Sequence, residues 1–144
     1  MTLATPKAVV VDTIVISSLL NAARSPEPAA SYRSLIAGRP VVVSFASVTE
    51  LRYGAAKAGW GDLRRRSLER DLARFVVAQP DDELMQICAD LRITCERHGL
   101  GLAHKVHEAD RWIAATAIML DTDLISDDAI FQDVPGLKIT PLPT

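Results

Sequence analysis

Cysteine is scarce in this chain of 144 residues: only Cys88 and Cys95 occur. They fall seven positions apart in a stretch of helical periodicity, about 10 Å along a helix axis at ~1.5 Å per residue. That is too far for a disulfide, and neither cysteine belongs to a paired-cysteine metal motif, so two buried thiols are expected. No apolar run reaches the ~20 residues that a membrane-crossing helix needs. The opening Met1–Lys7 carries no signal-like apolar block, which predicts a cytoplasmic protein without membrane contact. Low-complexity tracts are absent, so disorder is not expected. There is no glycine-rich phosphate loop and no nucleophile elbow. A phosphatase with an aspartyl nucleophile would commonly place a second Asp two positions after the first; here that position is Ile14. Positive charge is also not in excess. A formal net charge of −2 argues against a protein that coats nucleic acid. The basic run Arg64-Arg65-Arg66, with Arg70 and Arg74 behind it, is the local exception. It fits either a solvated helix face or a surface for phosphate or an acidic partner.

What is present is an alternation of short apolar runs with helical patterns. Val9–Asp12 reads as a buried strand, Ile14–Ala23 as a helix, and Arg24-Ser25-Pro26-Glu27-Pro28 as a breaker. Ala29–Ala37 reads as helix, Pro40–Ser44 as strand, Ser47–Ala58 as helix, Asp62–Arg74 as a charged amphipathic helix, and Phe75–Ala78 as strand. Asp81–His98 is a long helix with Leu84, Ile87, Cys88, Leu91 and Cys95 on one face. Gly99–Leu102 reads as loop, Glu108–Leu120 as helix, and Leu124–Ser126 and Leu137–Thr140 as strands. This order predicts an α/β fold of parallel strands joined by right-handed crossovers, in one domain over residues 1–144.

Four acids fall where such a fold gathers its ligands, at the carboxyl edge of the sheet. Asp12 ends the first strand; it is either an N-cap or a site carboxylate delivered to the sheet edge. Glu50 follows the second strand. Ser47-Val48-Thr49-Glu50 matches a capping box, the rival to a functional reading. Asp110 opens a helix whose face continues through Ile113, Ala114, Ala117 and Ile118; dipole complementation explains an acid near a helix start but not one facing the core. Asp127 and Asp128 follow a strand, as loop or cap residues or as site acids. Converged carboxylates repel by about 4 kcal/mol per pair at ~4 Å and an effective dielectric of ~20. A divalent cation relieves this, since hard cations prefer oxygen ligands. His104-Lys105-Val106-His107 invites a zinc reading, but no third ligand stands nearby.

These residues resemble a known family. Val10-Val11-Asp12-Thr13, Ser47-Val48-Thr49-Glu50-Leu51, His107-Glu108-Ala109-Asp110-Arg111-Trp112-Ile113-Ala114-Ala115-Thr116-Ala117 and Leu124-Ile125-Ser126-Asp127-Asp128-Ala129-Ile130-Phe131 follow, in order, the motifs of the PIN-domain family. Within it they are similar to the VapC-like toxins of bacterial toxin–antitoxin pairs. The resemblance spans nearly the whole chain, and its third block is the most specific. It implies a PIN-like fold, a five-stranded parallel sheet with helices on both faces, and a Mg²⁺- or Mn²⁺-dependent ribonuclease. It implies Asp12, Glu50, Asp110 and Asp128 as catalytic acids, with Asp12, Asp110 and Asp128 holding metal. Thr13 and Thr116 would support them, and Asp127 is the alternative to Asp128. It implies RNA as substrate, and a cognate antitoxin and a homodimer as partners; the dense charge of Arg64, Arg65 and Arg66 makes them candidate contacts for RNA or partner. The first helices would offer Ile16, Leu19, Leu20 and Tyr32 to the antitoxin, or to the core. One departure stands out: the family often has Asn or Ser where this chain has Ile14. It leaves two rivals open, a non-catalytic interaction protein on the same fold and a DNA-directed nuclease.

Overall fold

The computed structural model describes residues 7–22 and 26–141. Three consecutive valines build the central strand, β1 (Val9–Val11), and all three are fully buried. β2 (Val41–Ser44), β3 (Val76–Ala78), β4 (Asp123–Ile125) and β5 (Lys138–Thr140) complete a five-stranded parallel sheet in the order β3-β2-β1-β4-β5. Successive strand residues point to opposite faces, and this divides the core in two. Val10 faces Leu84, Cys88 and Leu91 of α5 (Asp82–Arg97) and Ile113 and Ala117 of α6 (Glu108–Met119). Val9 and Val11 face α1 (Thr13–Leu20), α2 (Pro26–Ile36), α3 (Phe45–Lys57) and α4 (Asp62–Leu72), through Ile16, Tyr32, Val48 and Leu68. Valine-rich strands buried on both faces are what a parallel sheet covered by helices requires. Cys88 and Cys95 are buried free thiols, as expected, and burial pushes both above the usual thiol range.

Three sequence expectations need correction. Helix α2 begins at Pro26, inside the expected breaker, of which Arg24 and Ser25 lie outside the described residues. Proline is tolerated in a first helical turn because those N–H groups have no intrahelical acceptor. Helix α3 begins at Phe45, capped by Ser44, whose hydroxyl accepts from the Ala46 N–H. Ser47 is therefore inside the helix, and Ser47-Val48-Thr49-Glu50 is no capping box. The segment after α5 is not plain loop: it holds short 3₁₀ turns at Gly101–Ala103 and Lys105–His107. It leaves α5 through Gly99, at φ +65°, where the Gly99 and Leu100 N–H groups reach back to Glu96 and Cys95 carbonyls. This is a Schellman closure, and only glycine adopts that φ without strain.

At the amino edge of the sheet, Arg39 ties three elements together. Its guanidinium donates to Asp123 Oδ1 at 2.6 Å and to the backbone carbonyls of Lys7, Ala8 and Leu35. Burial favours a raised Asp123 pKa, but the bonds from Arg39 and Thr140 outweigh it and hold the carboxyl below its ordinary value. Stability from this group is present above the unfolded carboxyl pKa of ~3.9 and is lost as pH falls through the lowered folded value. We expect Arg39→Met to lose roughly 1.5–3 kcal/mol at neutral pH, the range for hydrogen bonds to charged groups. The loss should shrink toward pH 3. Urea titrations at both pH values check this, and an equal loss at each would remove Asp123 from the account.

Candidate active site

The sheet order reverses between β1 and β4: from β1 the chain moves to β2 and β3 on one side, then to β4 and β5 on the other. Crevices at the carboxyl ends of strands beside such a switch point are where open α/β sheets bind ligands. Val11 pairs with Ile125 across this boundary, so the next residues, Asp12 and Ser126, meet. Asp12 is 4% exposed. Its Oδ1 accepts from the Val15 N–H at 2.8 Å, capping α1, and its Oδ2 accepts from the Ser126 hydroxyl. The capping reading of Asp12 thus holds through one oxygen, and the other is held by Ser126.

Ser126 also accepts from the Asp128 N–H at 3.0 Å, and Asp128 Oδ1 in turn caps the short turn Ala129–Phe131 through the Ile130 N–H at 3.0 Å. Burial raises the Asp12 pKa most. Ser126 and Val15 oppose that through hydrogen bonds, and the charges of Asp128 and Asp110 push it higher still. The charges of Asp110 and Asp128 thus both act on Asp12. Asp127 is exposed, and its charge acts on the Tyr32 hydroxyl, whose pKa burial, Asp127 and Asp12 all raise.

Asp110 sits in the first turn of α6, half-buried, with Oδ2 3.1 Å from His107 Nδ1. Glu50 is exposed in the second turn of α3 and lines a cavity of about 220 Å³ with Ser17, Leu20, Asn21 and Trp60. Ser47, one turn before Glu50, is buried and shares a 2.8 Å hydrogen bond with Thr13. Thr13 therefore ties α1 to α3. Thr116 is buried and donates to the Trp112 carbonyl of its own helix at 2.7 Å. Ile16 and Tyr32 are core residues, leaving Leu19 and Leu20 as the half-buried edge of that region.

Sequence reasoning weighed His107 only as a zinc ligand and gave no role to Ser126 or Arg111. Ser126 holds Asp12 through its hydroxyl, whereas Ile14, an apolar side chain, is 62% exposed. A small polar residue directly before the Asp127-Asp128 doublet was the available signal. Arg64 stacks over the Trp60 ring at 3.7 Å and Arg65 donates to the Trp60 carbonyl at 2.9 Å. The basic face of α4 is thus partly folded onto the cavity that Glu50 lines. No His or Cys zinc set exists among the described residues, nor do three of their His, Cys, Asp or Glu side chains already converge to cage a metal. The donor chemistry nonetheless fits a hard divalent cation. All the donors are carboxylate oxygens, and the charges acting on Asp12 are both negative.

A PIN domain family model matches residues 9–137. The chain belongs to the PIN domain family, whose members are generally nucleases. No curated protein matches it. Among solved structures it is similar to VapBC2 from Rickettsia felis, bound to a DNA fragment from its promoter, at 19% identity and TM-score 0.75, covering 94% of this chain and 99% of that one. It is similar to VapBC-5 from Mycobacterium tuberculosis, a member of a toxin–antitoxin family, at 27% identity and TM-score 0.64, covering 96% and 100%. FitAcB from Neisseria gonorrhoeae matches at 26% identity and TM-score 0.67, covering 91% and 95%.

Proposed function

We propose that this protein is a metal-dependent endoribonuclease acting as the toxin of a toxin–antitoxin pair. The carrying observation is the buried Asp12 carboxylate at the switch point, crowded by Asp110 and Asp128. Asp12, Asp110 and Asp128 would hold Mg²⁺ or Mn²⁺. The bound ion supplies a water of lowered pKa and neutralises charge on the phosphoryl oxygens. Ser126 fixes Asp12 through Oδ2 and Asp128 through its N–H, so two of the acids share one anchor. Glu50, at the rim, accepts the proton of the attacking water. In-line attack on phosphorus breaks the bond to the 3′ oxygen and leaves a 3′-hydroxyl and a 5′-phosphate.

The VapBC and FitAcB likenesses support a cognate antitoxin as partner. The physical fit is a basic residue entering the acid pocket, with an apolar segment on Leu20, Leu51 and Trp60 beside it. The protein acts in the cytoplasm as a homodimer. The deciding experiment offers purified protein RNA and DNA of one sequence, with Mn²⁺, Mg²⁺ or chelator. Metal-dependent cleavage of RNA alone is expected. DNA cleavage would change the substrate, and no cleavage of either would leave an interaction protein.

Exposed arginines on α4 suit the RNA backbone. Replacing Arg64, Arg65 and Arg66 by Gln is expected to flatten the salt dependence of RNA binding. The log–log slope should fall by up to ~0.7 for each phosphate that an arginine no longer neutralises, the single-strand value. Filter binding from low to moderate salt measures it. An unchanged slope would make this face solvated surface only.

A further inference from the structure

Arg111 is 3% exposed, yet the bonds it makes are to backbone rather than to an acid. Its Nη1 donates to the Leu102 carbonyl at 2.9 Å and to the His104 carbonyl at 2.6 Å. A buried guanidinium is costly unless hydrogen-bonded, so this residue fixes the path of the segment above it. That segment runs through the turn Lys105–His107 directly into α6. His107 stands at its end, three residues before Asp110, and three-residue spacing puts the two side chains on one helix face. The ring Nδ1 lies 3.1 Å from Asp110 Oδ2. An ionised carboxylate only accepts, so in this contact Nδ1 carries a hydrogen and donates.

Resting on the function proposed above, we infer that His107 is a positioning residue for the Asp110 carboxylate, aimed by a loop that Arg111 pins from beneath. With Oδ2 held by the imidazole, the rotation of the Asp110 carboxylate is fixed and Oδ1 is turned to a defined direction. Asp12 and Asp128 are fixed in the same manner, by Ser126 and by the Val15 and Ile130 N–H groups. Each of the three acids therefore has a partner that sets its orientation. An Arg111-to-carbonyl clamp explains why the His107 ring is aimed although it lies in a short turn and is one-third exposed.

The test uses the full chain and two readouts. Long-range ¹H–¹⁵N NMR on the metal-free protein should show His107 as the Nδ1–H tautomer, and Asp110→Ala should release it toward the Nε2–H form. Calorimetric Mn²⁺ titration should show His107→Ala and His107→Gln weakened by about 10- to 100-fold, the usual loss when the partner of a ligand is removed. His107→Asn should stay within a few-fold of wild type, because its Nδ2 occupies the place of the ring Nδ1. A Gln amide sits one bond further out and does not. Equal Mn²⁺ affinity in all variants, or an Nε2–H imidazole in wild type, overturns the positioning role while leaving the nuclease standing. A wild type that neither binds Mn²⁺ nor cleaves RNA overturns the nuclease itself, and the inference with it.

Discussion

Asp12→Asn and Asp110→Asn are each expected to lower RNA cleavage by at least 10²–10³-fold, about what removal of one preorganised electrostatic group costs, while the fold persists. Asn at position 12 keeps an oxygen for the Val15 N–H that caps α1, and its amide faces Ser126 as a donor where the carboxylate was an acceptor. Asn at 110 still accepts from His107. The stability sign follows from the raised Asp12 carboxyl, which burial, Asp128 and Asp110 hold above its ordinary value. Such a group contributes most stability below its unfolded pKa and loses it as pH rises through the folded one. At neutral pH the wild type therefore carries a penalty that Asn removes. Melting temperature in chelator should hold or rise for Asp12→Asn, whereas Asp12→Ala should lose about 1 kcal/mol with the cap. Added Mn²⁺ should raise the melting temperature of wild type more than of either Asn variant, because ligand binding stabilises in proportion to affinity. Wild-type turnover in either variant would remove that residue from the site.

The parallel sheet was legible because β1, β2 and β3 are valine-rich runs flanked by helix-period segments, and no competing pattern fits Val9–Val11 or Val41–Val43. Convergence of Asp12 and Asp128 was legible for the same reason: strand ends fix where the next residue goes. Other features depend on details that periodicity does not carry. The sequence puts the cap of α3 at Ser47, and only the bond from the Ala46 N–H to the Ser44 hydroxyl shows the helix already under way at residue 45. Pro26 reads as a breaker or as a first-turn residue with equal ease. The tie between Arg111 and the Leu102 and His104 carbonyls spans a segment with no repeating pattern, so nothing in the sequence marked that arginine as buried. The hydroxyl that holds Asp12 comes from Ser126, just past the end of β4, which no local pattern around Asp12 marked.

Without a capping box, a different behaviour is expected of Glu50. With Ser44 as the cap and Ser47 turned into the core against Thr13, the Glu50 side chain has no helix-start duty. Glu50→Gln and Glu50→Ala should both leave stability within about 0.5 kcal/mol of wild type, as for ordinary exposed positions. Cleavage should respond differently. Glu50 lines the cavity with Ser17, Leu20 and Trp60, and under the proposed function its part would be to accept a proton rather than to hold the first cation. The expected signature of Glu50→Gln is a turnover about 10²–10⁴-fold lower, the usual contribution of a general base, with RNA KM and Mn²⁺ affinity near wild type. Mn²⁺ affinity falling in step with turnover would instead make Glu50 a cation ligand. Full activity in Glu50→Gln would reduce it to a wall of the cavity formed with Ser17, Leu20 and Trp60, a surface for the partner and not for the chemistry.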